Sequence, residues 1–155
     1  MGGASIMARM DMSELHKFQA QLQQMTTQEK QKLYEDCLKE LAARFLRKVI
    51  KRTPVISGHL RRGWSALLKD AIRVQKIGST YRIELVNNTE YASYVEYGHR
   101  QTPGRFVPAI GKQLKESWVE GQFCMTLSAH EVESGAPAIL QRKIQRYFEE
   151  EINGK

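Results

Sequence analysis

Apolar residues recur every third or fourth position over much of this chain, and that spacing predicts most of its elements. Leu15, Phe18, Leu22 and Met25 fall on one face of a short amphipathic helix over Ser13–Met25. Thr26-Thr27-Gln28-Glu29 follows, a hydroxyl at an N-cap with a carboxylate three residues on, which is a capping box. A second helix is expected from there to about Arg52, with Tyr34, Leu38, Leu41, Ala42, Phe45 and Val49 as its apolar stripe. Pro54 stops it, because proline cannot continue a helix and pushes Thr53 toward extended geometry. Thr53 to Trp64 reads as a loop, with Gly58 and Gly63 permitting unusual backbone angles. Trp64 is expected in the core.

The period then changes from helical to alternating. With Gly78-Ser79 as a two-residue type II′ turn, Ile72 faces Leu85, Val74 faces Ile83 and Lys76 faces Tyr81. Apolar residues meet along one face of this hairpin, while Arg73 and Glu84 pair across the other. Asn87-Asn88-Thr89 supplies capping side chains for about two helical turns over Tyr91–Gly98, closed by Gly98 in a left-handed cap. His99 to Gln113 holds Pro103, Gly104, Pro108 and Gly111 and reads as a long loop. Trp118 to Met125 is a candidate strand leading into a short helix near Met125–Val132. Ser134-Gly135-Ala136-Pro137 reads as a break, with Pro137 in the first turn of a last helix. That helix carries Ala136, Leu140, Ile144, Tyr147 and Phe148 on one side. No internal repeat or low-complexity tract is visible.

Composition adds limits. At 155 residues the chain fits one domain able to bury about 68–70% of its unfolded surface. The expected division is a disordered tail over 1–12 and a single α+β domain over 13–152. Cys37 and Cys124 are the only cysteines and lie in unrelated patterns, which suggests a reducing compartment and small buried apolar thiols. No apolar run is long enough to span a membrane, and Met1 to Met12 lacks the apolar core of a signal peptide. Met1-Gly2 could begin a myristoylation signal, but Ile6 stands where Ser or Thr is required.

Charge is uneven. Of a formal +7, the segment Lys39–Arg62 carries the equivalent of all of it, with eight basic residues against Glu40 alone. Arg44, Arg47, Lys48 and Lys51 share about a third of one helical face, next to the apolar stripe, and Arg52, Arg61 and Arg62 follow. Cations complement a helix C-terminus, which accounts for one or two of these. The rest point to an anionic partner, either nucleic acid or an acidic protein face.

The richest stretch for chemistry is Tyr91-Ala92-Ser93-Tyr94-Val95-Glu96-Tyr97-Gly98-His99-Arg100. Glu96 and His99 could be an acid–base pair, but such a pair needs a nucleophile or metal beside it. No His-Glu-x-x-His, P-loop or Gly-x-Ser-x-Gly occurs, and His16, His59, His99 and His130 share no ligand spacing. A capping or loop-fixing role fits Glu96 and His99 better. Tyr91, Tyr94 and Tyr97 could stack on bases, yet spacings of three more often mark a core or interface face.

Three blocks together resemble the tail-component, or tail-completion, proteins of long-tailed bacteriophages and prophages. The first is the basic helix running into Thr53-Pro54-Val55-x-x-Gly58-x-Leu60-Arg61. The second is Val86-Asn87-x-x-x-Tyr91-Ala92-x-Tyr94-Val95-Glu96-Tyr97-Gly98-His99-Arg100. The third is Trp118-Val119-x-Gly121-x-Phe123-x-Met125, followed by the C-terminal helix. Ile56-Ser57 departs from the Asp-Thr that the family favours there, which alters local capping rather than the fold.

The resemblance implies a small α+β virion protein with no enzyme activity and no cofactor, made in the bacterial host cytoplasm and built into the tail or neck. N-terminal helices and a C-terminal helix would pack on a small, mainly antiparallel sheet containing the 71–86 hairpin. Self-association into a ring, plausibly a hexamer, is expected, with head-closure, tail-terminator or tail-tube proteins as neighbours and possible non-specific contact with DNA. Candidate DNA-facing or anion-facing residues are Arg44, Arg47, Lys48, Lys51, Arg52, Arg61 and Arg62. Candidate interface residues are Tyr91, Tyr94, Tyr97, His99, Arg100, Arg105 and Phe106. A free-standing nucleic-acid-binding module is the alternative, and a small hydrolase using Glu96 and His99 is a third reading.

Overall fold

A computed structural model describes residues 19–20, 22–55, 57–69 and 72–153. The chain divides into two units, 1–34 and 35–155. In the first, residues 19–20 and 22–24 are helical, and the rest of the helix predicted over Ser13–Met25 lies largely outside the described residues, as does the expected 1–12 tail. The capping box forms as expected: the Thr26 N–H donates to Glu29 Oε2 at 2.7 Å and the Glu29 N–H donates to Thr26 Oγ1 at 3.2 Å. These bonds satisfy donors that helix geometry orphans. They start α1, Thr27–Arg52.

The second unit holds the core. Leu46, Val49, Leu60 and Trp64 are buried together, with Phe45, Ile50, Leu67, Ile72, Leu85, Ala92, Val95 and Met125 packed around them. The stripe of α1 is therefore rotated from the predicted one. It centres on Ala42, Leu46 and Val49, while Leu38, Leu41 and Phe45 are half-buried and Tyr34 is exposed. Thr53 ends the helix buried, its hydroxyl donating to the Val49 carbonyl at 2.7 Å.

The expected Thr53–Trp64 loop holds only as far as Gly58, and its second half belongs to a second helix, α2, His59–Lys69. Leu60, Trp64 and Leu67 stand at helical spacing, and that stripe outweighs the two glycines. Gly58 does use its freedom, at φ +78, just before the helix. Gly63 instead supplies room: a Cβ there would lie 2.7 Å from Asn87 Oδ1.

The hairpin keeps the predicted register. β1, Gln75–Ile77, pairs antiparallel with β2, Thr80–Arg82, with Lys76 opposite Tyr81. Gly78 takes φ +62 and Phe123 is the only non-glycine at positive φ among the described residues, so Ser79 stays right-handed, as a type II′ turn requires. Ladder pairing stops at Gln75 and Arg82. Beyond it Ile72, Val74, Ile83 and Leu85 are half-buried while Arg73 and Glu84 are exposed, so the predicted two-faced alternation persists.

The α+β class holds, with the β structure spread over three two-stranded ladders. α3 is Ala92–Tyr97, followed by β3, Gly98–Arg100; β4, Phe106–Val107; β5, Lys112–Gln113; and β6, Trp118–Glu120. The expected long loop is thus a β-arm. β3 pairs with β6 at its base and β4 with β5 at its tip. Between them Gly104 donates to Leu114 O, and Leu114 donates back to Arg105 O, each at 2.8 Å. Two residues on one strand thus oppose one on the other, a bulge led by Gly104 at φ +82.

The predicted break at Ser134–Pro137 is absent. One helix, α4, runs from Cys124 to Asn153 with Pro137 inside it. Proline removes one backbone donor from the ladder, and the helix continues on either side because its stripe continues. Ala136, Leu140, Ile144, Tyr147 and Phe148 are all half-buried along one side, as expected.

Candidate functional site

The Tyr91–Arg100 block sits where α3, the arm and α4 meet. Its approach is fixed by Asn87, whose Nδ2 donates to Leu60 O at 2.9 Å and whose Oδ1 accepts from the Thr89 N–H at 3.1 Å and hydroxyl at 2.7 Å. The expected side-chain cap from this segment is not made. Asn87 spends its groups on tying the turn to α2, and Tyr91 caps α3 without a side-chain bond.

Glu96 is 5% exposed and its carboxylate is committed. It accepts from the Met125 N–H at 2.9 Å, the Thr126 N–H at 2.9 Å and the Thr126 hydroxyl at 2.7 Å. These are first-turn donors of α4, where helix geometry leaves N–H groups unpaired and the dipole favours an anion. The backbone follows suit: Gln122 donates to Val95 O at 2.7 Å and Phe123 to Glu96 O at 3.1 Å. Phe123 itself stands at φ +49. Glu96 therefore has the capping role that the sequence favoured.

Two glycines make the junction possible. A Cβ on Gly121 would lie 2.3 Å from Glu96 O, and one on Gly98 would lie 2.4 Å from Val119 O. The closure at Gly98 differs from the predicted left-handed cap. At φ 83 and ψ 174 the residue is extended on the positive-φ side, so it turns the helix straight into β3 rather than coiling back.

His99 joins no acid–base pair with Glu96. Its ring lies against Tyr94, centroids 5.3 Å apart, and its buried Nδ1 has no hydrogen-bond partner. The three tyrosines are not core. Tyr91 is 37%, Tyr94 56% and Tyr97 65% exposed, and Phe106 on the arm tip is 56% exposed. The Tyr91 hydroxyl reaches Ser57 Oγ at 3.2 Å. Arg100 and Arg105 are exposed along the arm. The sequence reading missed Ile110 and Trp118, both exposed on the same arm. Pro103-Gly104 and Pro108 to Gly111, turn signals flanking Arg105-Phe106-Val107, could have disclosed its tip.

The basic residues separate into two groups. Arg44 pairs with Glu40 at 2.7 Å, one turn back on α1. Lys48 reaches Glu131 of α4 at 2.6 Å, and Arg52 binds the same carboxylate and Ser128 Oγ at 3.1 Å. Between them Lys48 and Arg52 hold the Glu131 carboxyl below its ordinary pKa by direct hydrogen bonding. Arg61 donates to Thr53 O at 2.9 Å and Arg62 to Ser57 O at 3.3 Å. Arg47 and Lys51 are exposed and take part in none of these ties.

Both cysteines are buried and free. Burial pushes each thiol up, Cys124 further through the nearby Glu96 charge, which makes them packing groups rather than nucleophiles. Among the described residues no cluster of His, Cys, Asp and Glu could hold a metal ion.

Residues 16–98 match the model of the HK97-gp10-like family, described as "Bacteriophage HK97-gp10, putative tail-component". The chain belongs to this family. The match takes in α1, α2, the hairpin and α3, and ends at Gly98, so the arm and α4 lie beyond it. Searches of curated proteins and of solved structures return no match. Membership makes the protein a phage tail component, a structural part of the virion that meets other tail or neck proteins. No helix among the described residues is long and apolar enough to cross a membrane.

Proposed function

We propose that this HK97-gp10-like protein completes the neck end of a phage tail by forming a homo-oligomeric ring, with a hexamer as the working size, that binds adjoining neck and tail proteins. The observation that carries this reading is the set of exposed aromatic side chains, Tyr94 and Tyr97 on α3 beside a tightly built junction and Phe106 at the arm tip. Large aromatic residues left in water at a rigid base are what protein interfaces use. The test is mass in solution, alone and with neighbouring neck proteins. A closed oligomer is expected. A strict monomer under every condition, added partners included, would remove the ring.

A DNA-facing role for the basic segment survives mainly through Arg47 and Lys51. The other candidates, Arg44, Lys48, Arg52, Arg61 and Arg62, hold partners within the chain. If those two cations carry any DNA contact, the log–log salt slope of binding should be roughly −2, at about −0.9 per phosphate. A slope near −5 would restore the full basic face and the free-standing nucleic-acid binder.

A further inference from the structure

The arm tip is built to be used away from the body that carries it. β4 and β5 pair only with each other, and residues 102–113 are exposed apart from half-buried Val107. Phe106 and Ile110, 56% and 49% exposed, place an apolar knob at the end. Residues 100–115 carry Arg100, Arg105, Lys112 and Lys115 and no acid.

A matching recess lies elsewhere on the second unit. Leu38, Leu41 and Phe45 of α1, Ile83 and Leu85 after β2, and Ala129 of α4 line an open apolar groove of about 400 Å³. A cavity of about 150 Å³ accepts a benzene ring, so this one holds a phenyl group with room for a second side chain. Among the described residues Glu133 is the one charged residue on its lining, and no cation lines it. The knob is apolar with a positive flank, and the groove is apolar with a negative rim.

We propose that the arm tip of one copy, led by Phe106 and Ile110, seats in the α1–α4 groove of the next copy. This rests on the ring reading and names the surfaces that build it. Knob and groove share no residue, so the contact can repeat head-to-tail from copy to copy. Head-to-tail contacts close into rings when the rotation allows and otherwise run on as filaments. A self-complementary patch would stop at a dimer.

The experiment uses the full chain and sedimentation velocity with native mass measurement. Phe106→Asp spoils the knob, and Ala129→Trp fills the groove. Each alone should be monomeric, and an equimolar mixture should give a one-to-one dimer, because one intact knob still meets one intact groove. Glu133→Arg, exposed on the rim, is a second groove variant should Ala129→Trp fail to fold, and it should weaken assembly at least tenfold. An oligomer that persists in both Phe106→Asp and a folded groove variant overturns the knob-and-groove contact and leaves the ring standing. A wild type that stays monomeric with and without neck proteins overturns both. A wild-type monomer in which Ala129→Trp lowers the melting temperature and Phe106→Asp does not would mean that the groove is filled from within its own chain, which also overturns the contact.

Discussion

Two carboxylates fasten α4, about one and a half turns apart, and they do it by opposite means. Glu96 comes from α3, is buried, and accepts backbone N–H groups of the helix's first turn. Glu131 belongs to α4 itself, keeps 43% of its side chain exposed, and reaches out to Lys48 and Arg52 of α1. The first replaces water for donors that have no other partner. The second trades one set of hydrated charges for another. Hydrogen bonds to a buried charge keep their strength, whereas an exposed ion pair is screened by solvent and salt. Position in the helix matters less than access to water. A family match does not reveal this difference, because both residues lie on opposite sides of where it ends, Glu96 within 16–98 and Glu131 beyond it.

The comparison is broken most severely at the base that brings Glu96 to α4. Gly98→Ala would place a methyl group 2.4 Å from Val119 O at a φ of +83. The strained backbone and the forced separation of β3 from β6 together should cost about 2–5 kcal/mol, read from urea or thermal melts. Gly121→Ala, aimed at Glu96 O from the other side, should act in the same direction. Stability unchanged in both would mean that the two backbones do not approach as closely as described.

Next comes the carboxylate itself. Glu96→Ala strips the charged acceptor from the Met125 and Thr126 N–H groups and should cost about 2–3 kcal/mol. Glu96→Gln is the sharper probe. It preserves volume and one acceptor but turns an NH₂ group toward donors, so it should recover only part of that loss. Full recovery by glutamine would mean that charge contributes nothing at this cap.

The contrast also marks what could be read from sequence. Local signals survived: the capping box at Thr26, the Gly78-Ser79 turn with Lys76 opposite Tyr81, and the stripe from Ala136 to Phe148. Each depends on residues a few positions apart or on a two-residue turn that dictates its own register. Glu96 was legible as a fixer, but its partners were not, because Met125 lies 29 residues away. The arm was missed for the same reason, since β3 finds β6 only through three-dimensional closure. The α2 misreading was different. Gly58 and Gly63 look alike as punctuation, yet one breaks the backbone at φ +78 and the other sits in a helix to admit Asn87. Pro137 likewise costs a single donor and could not outweigh the stripe around it. Among the candidate site residues, the exposure of Tyr94 and Tyr97 could not be read from spacing, because a three-residue period serves a core and an interface equally well.

The smallest effect should come from Glu131, and both pH and salt report on it. Its carboxyl is held below the ordinary value of 4.5, first by hydrogen bonding from Lys48 and then from Arg52. A carboxyl whose folded pKa is depressed stabilises the fold fully above its unfolded value and loses that contribution as pH falls through the folded one. Wild type and Glu131→Gln should therefore differ by a constant amount in melting temperature at neutral pH, and the gap should close as pH drops beneath about 4.5. Because the pair is exposed, added salt at neutral pH should narrow the same gap. A gap that ignores both acid and salt would place Glu131 in a packing role and erase its difference from Glu96.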